Sequence, residues 1–141
     1  VINRENGLLE IYNRVKNDKD SLGLRAFKRT PTKPIDENFL PCVFMIEGVD
    51  DVVKPATRNN TGYPCVRNLE VTLEIVTDRD TDIKKLYTDV RSVVFNGGVI
   101  VADNNTFIRE IRAEGPTGYG LPDVLGMQLV LMLVYTDMGT Y

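Results

Sequence analysis

An α/β (α+β) domain, a single four- to five-stranded mixed sheet with two helices packed on one face and long irregular loops, is what the sequence predicts. Three stretches predict it. In Leu69-Glu70-Val71-Thr72-Leu73-Glu74-Ile75-Val76-Thr77 the apolar residues Leu69, Val71, Leu73 and Ile75 occupy every second position, the period of a strand with one buried and one wet face. Ile83, Leu86, Tyr87, Val90 and Val94 then recur at three- and four-residue steps, the period of a helix burying one face, ended by Asn96-Gly97-Gly98. Met127 to Thr136, the most apolar element, closes the chain as a strand.

The strand and helix between Val66 and Phe95 are natural partners. Each aliphatic side chain hidden between them stabilises the fold by about 1.5 to 3 kcal/mol, so this pair is the expected core. Asp78-Arg79-Asp80-Thr81 breaks the alternation and offers Asp80 or Thr81 as N-cap. Upstream, Leu8, Leu9, Ile11, Tyr12 and Val15 form a helical stripe within Arg4 to Lys16, with Gly7 as its weak point. A polar turn follows, then a short strand within Leu22 to Lys28. Pro31 and Pro34 exclude regular structure until Phe39. Cys42-Val43-Phe44-Met45-Ile46-Glu47 is nearly all apolar and fits a strand covered on both faces.

Gly48 to Pro64 has almost no periodicity, and a structureless connection of that length is usually functional or disordered. It reads as an arm or hairpin reaching away from the sheet, or as a loop with no role. Phe107 to Ala113 mixes Ile108 and Ile111 with Arg109, Glu110 and Arg112, as an edge strand guarded by charge does. Glu114 to Asp123 reads as a second irregular loop.

In the last strand Leu129, Leu131, Leu133 and Tyr135 take one face, and Val130, Met132 and Val134 the other. Two helices cover only one face of such a sheet. The remaining apolar face therefore needs a partner, for which copies of the same chain are the commonest candidate, or is covered by the N-terminal segment up to Phe39.

With 141 residues, 43% apolar and 26% charged, the chain has the size and composition of one globular domain spanning residues 1–141. A net charge of -3 with scattered Lys and Arg gives no reason to expect a nucleic-acid-binding surface. Cys42 and Cys65 are expected as small buried hydrophobes near two strand starts rather than as a disulfide. No apolar run reaches membrane-spanning length and no signal peptide is present, so a soluble protein made in a cytoplasm is expected, with no membrane partner. The start at Val1 suggests an initiator removed or not numbered.

Histidine is absent, which removes the commonest general base and metal ligand. There is no Gly-x-Ser-x-Gly elbow and no Walker loop, and Gly115, Gly118 and Gly120 do not open a helix after a strand as a dinucleotide fingerprint does. Asp78, Asp80 and Asp82 alternate like early calcium ligands but lack the Gly at the sixth and the Glu at the twelfth loop position, so turn and cap roles explain them better, with an adventitious divalent-ion site as the second reading. No enzyme, cofactor or metal site is expected.

The order of an N-terminal helix, a Pro-rich passage, the Leu40-Pro41-Cys42-Val43-Phe44 strand, a long polar loop, the Leu69 to Thr77 strand, the Asp82 to Phe95 helix and an apolar last strand ending in Val134-Tyr135 resembles the tail terminator (tail completion) proteins of long-tailed bacteriophages, the lambda-type family. The resemblance covers most of the chain and lies in element order and patterning, with no invariant motif. It implies a virion protein of the tail or neck, assembled in the host cytoplasm as a six-membered ring that caps the tail tube, ends its polymerisation and presents its other surface to the head connector. DNA then passes through the lumen without sequence-specific binding. On this reading Leu129, Leu131 and Leu133, or their opposite-face neighbours Val130 and Met132, make the subunit contact. The Gly48 to Pro64 arm, with Lys54, Arg58, Asn59 and Asn60, reaches a neighbour or the tube, and Asp50 and Asp51 are candidates for an acidic lumen. Two rivals remain: another neck ring protein, such as a head-closure or connector subunit, and a small ligand-binding α/β domain with a pocket near Glu47, Arg67 and Tyr119.

Overall fold

A computed structural model of the chain describes residues 2–29, 37–55, 65–102, 104–118 and 120–137. Helix α1 (Ile2–Asn17) leads into strand β1 (Ala26–Arg29), a 3₁₀ turn at Glu37–Phe39, the long strands β2 (Cys42–Pro55) and β3 (Cys65–Thr77), helix α2 (Ile83–Asn96), and strands β4 (Phe107–Gly118) and β5 (Leu125–Asp137). The five strands form one mixed sheet in the order β1-β2-β3-β5-β4. β1 runs parallel to β2 and every other pairing is antiparallel.

The alternation read in β3 is realised directly. Leu69, Val71, Leu73 and Ile75 are fully buried, and Glu70, Thr72 and Glu74 lie half-buried on the other face. β3 is hydrogen-bonded along its length to β5, from Cys65 opposite Asp137 to Thr77 opposite Leu125. Both helices pack on the Leu69 face: Leu8, Ile11 and Val15 of α1 and Ile83, Leu86, Val90 and Val94 of α2 join Leu129, Leu131, Leu133 and Tyr135 in one core. Tyr12 adds an aromatic stack on Phe27, with ring centroids 4.9 Å apart.

Gly7 has a different role from the weak point expected. A Cβ there would lie 2.8 Å from Leu133 Cδ1, so its missing side chain lets α1 sit directly on β5. The N-cap of α2 is Asp82, just beyond the expected Asp80 or Thr81. Thr81 Oγ1 instead donates to Asp78 at 2.9 Å and closes the preceding turn, which frees Asp82 to accept from Lys84 N and Lys85 N. At the other end of α2, Arg14 of α1 donates to the carbonyls of Val94, Gly97, Gly98 and Ile100. One guanidinium thus satisfies carbonyls that a helix terminus leaves without an internal partner.

The first part of the stretch read as an arm or hairpin, and the first part of the one read as a second irregular loop, prove to be strand. β2 continues to Pro55 through register shifts at Glu47/Asp50 and Val52/Lys54. β4 continues to Gly118 through shifts at Glu110/Arg112 and Glu114/Thr117, with Gly115 at φ 99° just before Pro116. Each bulge inserts residues that oppose nothing, so the period of two is lost in the sequence while the ladder carries on. Pro116 is tolerated because β4 is an edge strand.

Both helices leave the second sheet face uncovered, as expected of two helices on one face. The N-terminal helix lies with α2 rather than across this face, and the chain shields part of it by other means. At one end Leu40, Cys42, Phe44, Val76 and Val124 form a separate small cluster. In the middle, Arg112 of β4 pairs with Glu70 of β3 at 3.5 Å, spanning the intervening β5, and Val130, the residue opposite Arg112, is only 1% exposed. A long charged side chain laid over an apolar strand with its head in water is the physical basis. Cys42 and Cys65 are free, buried and first in their strands as expected. They stand at opposite ends of the β2–β3 ladder, Cys42 opposite Val76 and Cys65 opposite Pro55, too far apart for a disulfide.

Candidate functional site

The densest polar constellation sits where α1 crosses the β2 bulge. Asp50 Oδ2 accepts from the Tyr135 hydroxyl and from Arg4 Nε at 3.2 Å. Arg4 Nη2 also meets Glu47 at 3.1 Å. Arg29 of β1 donates to Glu47 and forks onto both oxygens of Glu5 at 2.6 and 2.9 Å. Arg67 pairs with Asp137 at 3.0 Å diagonally across the β3–β5 ladder, and Asn3 donates to the Thr136 carbonyl. The Arg29 hydrogen bonds hold the Glu5 carboxyl below its ordinary range. Burial, with the Asp50 hydrogen bond adding, raises Tyr135 well above the ordinary tyrosine value, so its hydroxyl stays a donor. Side chains from one helix and four strands are thereby tied at the base of the β2–β3 hairpin. The arrangement is a brace: its carboxylates are engaged by arginine or tyrosine, although Asp50 Oδ1 is itself buried without a partner among the described residues.

The residues expected at a site fall into three groups. Leu129, Leu131 and Leu133 are 0% exposed beneath the chain's own helices, so the expectation that they meet a neighbouring subunit is corrected: their alternation carried them into the internal core. Of their opposite-face neighbours, Val130 is shielded as described and Met132 is half-buried on the open face. Asp50 belongs to the brace rather than to a free acidic lining, whereas Asp51 is exposed. Lys54 pairs with Val66 in the β2–β3 ladder. Arg58, Asn59, Asn60 and Tyr119 lie outside the described residues. Glu47 and Arg67, named for a ligand pocket, are taken up in ion pairs with Arg4, Arg29 and Asp137.

What the sequence reading missed lies on the two sheet borders. β1 covers β2 only from Cys42 to Met45, and among the described residues no other strand pairs with that side of β2 farther along. Val49, Val52 and Val53 are exposed there. On the opposite border Val99 to Val101 attaches to the start of β4, Ile108 N donating to Val99 O at 2.8 Å and Val101 N to Thr106 O at 3.0 Å. Val99, Ile100 and Phe107 remain exposed. Beside them Asn3, Asn6, Leu9, Glu10 and Asn13 of α1 face Val101 and Ala102 across a shallow groove of about 430 Å³. Val99-Ile100-Val101 is an apolar run, and its place on a sheet border follows from its pairing with the start of β4. No helix among the described residues is long and apolar enough to cross a membrane.

No protein-family model matches the chain, and no curated protein matches it. Among solved structures, it is similar to a chain of the virion of a native gene transfer agent (GTA) particle, with a TM-score of 0.51 and 15% identity over 92% of this chain and 93% of that one. At that identity the likeness is one of fold, extending over nearly the whole of both chains.

Proposed function

We propose that this chain is a non-enzymatic structural protein of a phage-like virion, a tail-terminator subunit that forms a ring on the end of the tail tube, stops its growth and joins it to the head connector. The likeness in fold to a virion chain over nearly its full length carries this reading. The element order and patterning by which the sequence resembles the lambda-type tail terminators agree with it. A brace that ties the β2–β3 hairpin to α1 and β5 suits an arm that must hold its direction while bearing on a partner. The Gly48 to Pro64 stretch, with Lys54, Arg58, Asn59 and Asn60, is assigned to the contact with the tube or a neighbour, and six subunits to the ring. DNA passes through the lumen without being bound.

Mass photometry across a wide concentration range, with negative-stain class averages, tests the ring, and addition of tail tubes from the same particle tests the role. Six-fold rings that seat on tube ends are expected. Rings that ignore tubes but bind the head connector would move the protein to the connector side of the neck. A monomer that binds neither would overturn the reading.

A further inference from the structure

The two exposed apolar patches lie on opposite borders of one sheet and at the same height. On the β2 border Val49, Val52 and Val53 are 63%, 49% and 55% exposed, and on the β4 border Val99, Ile100 and Phe107 are 51%, 49% and 36% exposed. The ladders fix the height: Asp51 is opposite Asn68, Asn68 opposite Val134, and Val134 opposite Phe107. β2 and β4 are three strand spacings apart in this row, roughly 14 Å. Two different patches on opposite borders make a heterologous contact, which repeats from copy to copy and closes into a ring when the rotation allows.

Charge distinguishes the borders in the same sense. Asp51 on β2 and Arg109 on β4 are exposed, and no ion pair joins either to another described residue. They share a sheet face, Asp51 in the row of Phe107 and Arg109 in the next row on that face, opposite Met132 and Glu70. One border therefore carries an anion beside its valines and the other a cation beside Phe107. Farther along, β4 carries Arg112, Glu114, two register shifts and Pro116, features that discourage strand pairing there and leave the Val99 to Arg109 end as the docking part.

We propose that the Val49 to Val53 border of one copy docks on the Val99 to Arg109 border of the next, with Asp51 of one facing Arg109 of its neighbour. This rests on the ring reading above and names the surfaces that close the ring.

Charge reversal tests it. Asp51→Arg and Arg109→Asp are made singly, mixed one to one, and combined in one chain, with circular dichroism to verify each fold and mass photometry to read assembly. Each single variant is expected to raise the half-assembly concentration by about tenfold or more, because every contact then sets like charges together. The double variant restores opposite charges at every contact. The mixture restores them too, by alternating subunits around an even-numbered ring, an outcome that misfolded variants do not produce. Rings from both single variants at the wild-type concentration would overturn the border contact and leave the ring reading standing. Loss of assembly in the single variants without recovery in the mixture and the double variant would also overturn it. A wild-type chain that never forms rings would overturn both.

Discussion

Removing the Arg14 guanidinium should unfasten the end of α2 from the rest of the molecule. The side chain is 10% exposed; Nη1 donates to Val94 O at 2.7 Å and Gly98 O at 2.6 Å, Nη2 to Gly97 O at 3.3 Å and Ile100 O at 3.2 Å, and Nε to Glu10 at 3.0 Å. The bonds do not weigh equally. The Val94 bond is partly buried and made by a charged donor, worth about 1.5 to 3 kcal/mol. Those to Gly97, Gly98 and Ile100 are exposed, and water replaces much of them. A cation at a helix C-terminus adds about 0.3 to 1 kcal/mol. Arg14→Ala should therefore cost about 2 to 4 kcal/mol, which for a domain of this size is a fall in Tm of roughly 10 °C. Arg14→Lys keeps the charge but places its donors on one atom, which cannot span four carbonyls, so it should recover less than half of the loss. Urea denaturation gives the magnitude, and amide exchange gives the place, with faster exchange concentrated at Val99 to Val101. A variant Arg14→Ala within 0.5 kcal/mol of wild type, or an Arg14→Lys indistinguishable from it, would refute the clamp.

Gly7→Ala should destabilise by about 1 kcal/mol although alanine is the better helix former, because the new methyl meets Leu133, which is fully buried. A more stable variant in chemical denaturation would show that α1 can lift without cost. Burial and then the hydrogen bond to Glu110 push Tyr87 up to about 12, above the value of about 10 for an unfolded tyrosine. The folded state thus holds this proton more tightly: the contribution is complete below pH 10 and is lost as pH rises toward 12. Tyr87→Phe should flatten the fall in stability over that interval, and an unchanged slope in alkaline titrations would count against the assignment. Arg112→Ala should uncover Val130 and increase binding of a hydrophobic dye, while changing stability by less than about 1 kcal/mol, since the ion pair itself is solvent-exposed. Unchanged dye binding would mean that Val130 is shielded by other groups.

The parts legible in the sequence are those whose signal is local. Alternation over Leu69 to Thr77 and the three- and four-residue steps of Ile83, Leu86, Val90 and Val94 each state which face is buried, and the core contains those side chains. The paired apolar faces of β5 were also legible, but not their separate fates. Leu129, Leu131 and Leu133 turn inward because both helices lie on that side, whereas Val130 is covered by an ion pair between strands 42 positions apart in the chain (Glu70 and Arg112). Bulges hid half of β2 and the end of β4, since an unpaired residue shifts the alternation without ending the ladder.

By itself, the sequence determined the mixed sheet, the two helices, the buried thiols and the apolar last strand, because hydrophobic period and punctuation act within a few residues. The tertiary structure alone decided that Arg14 closes α2, that Gly7 seats α1 on Leu133, that Asp50 belongs to a brace while Asp51 stays exposed, and that two apolar borders stand level across the sheet. Those facts depend on strand order and register, which bring together residues that no local pattern relates.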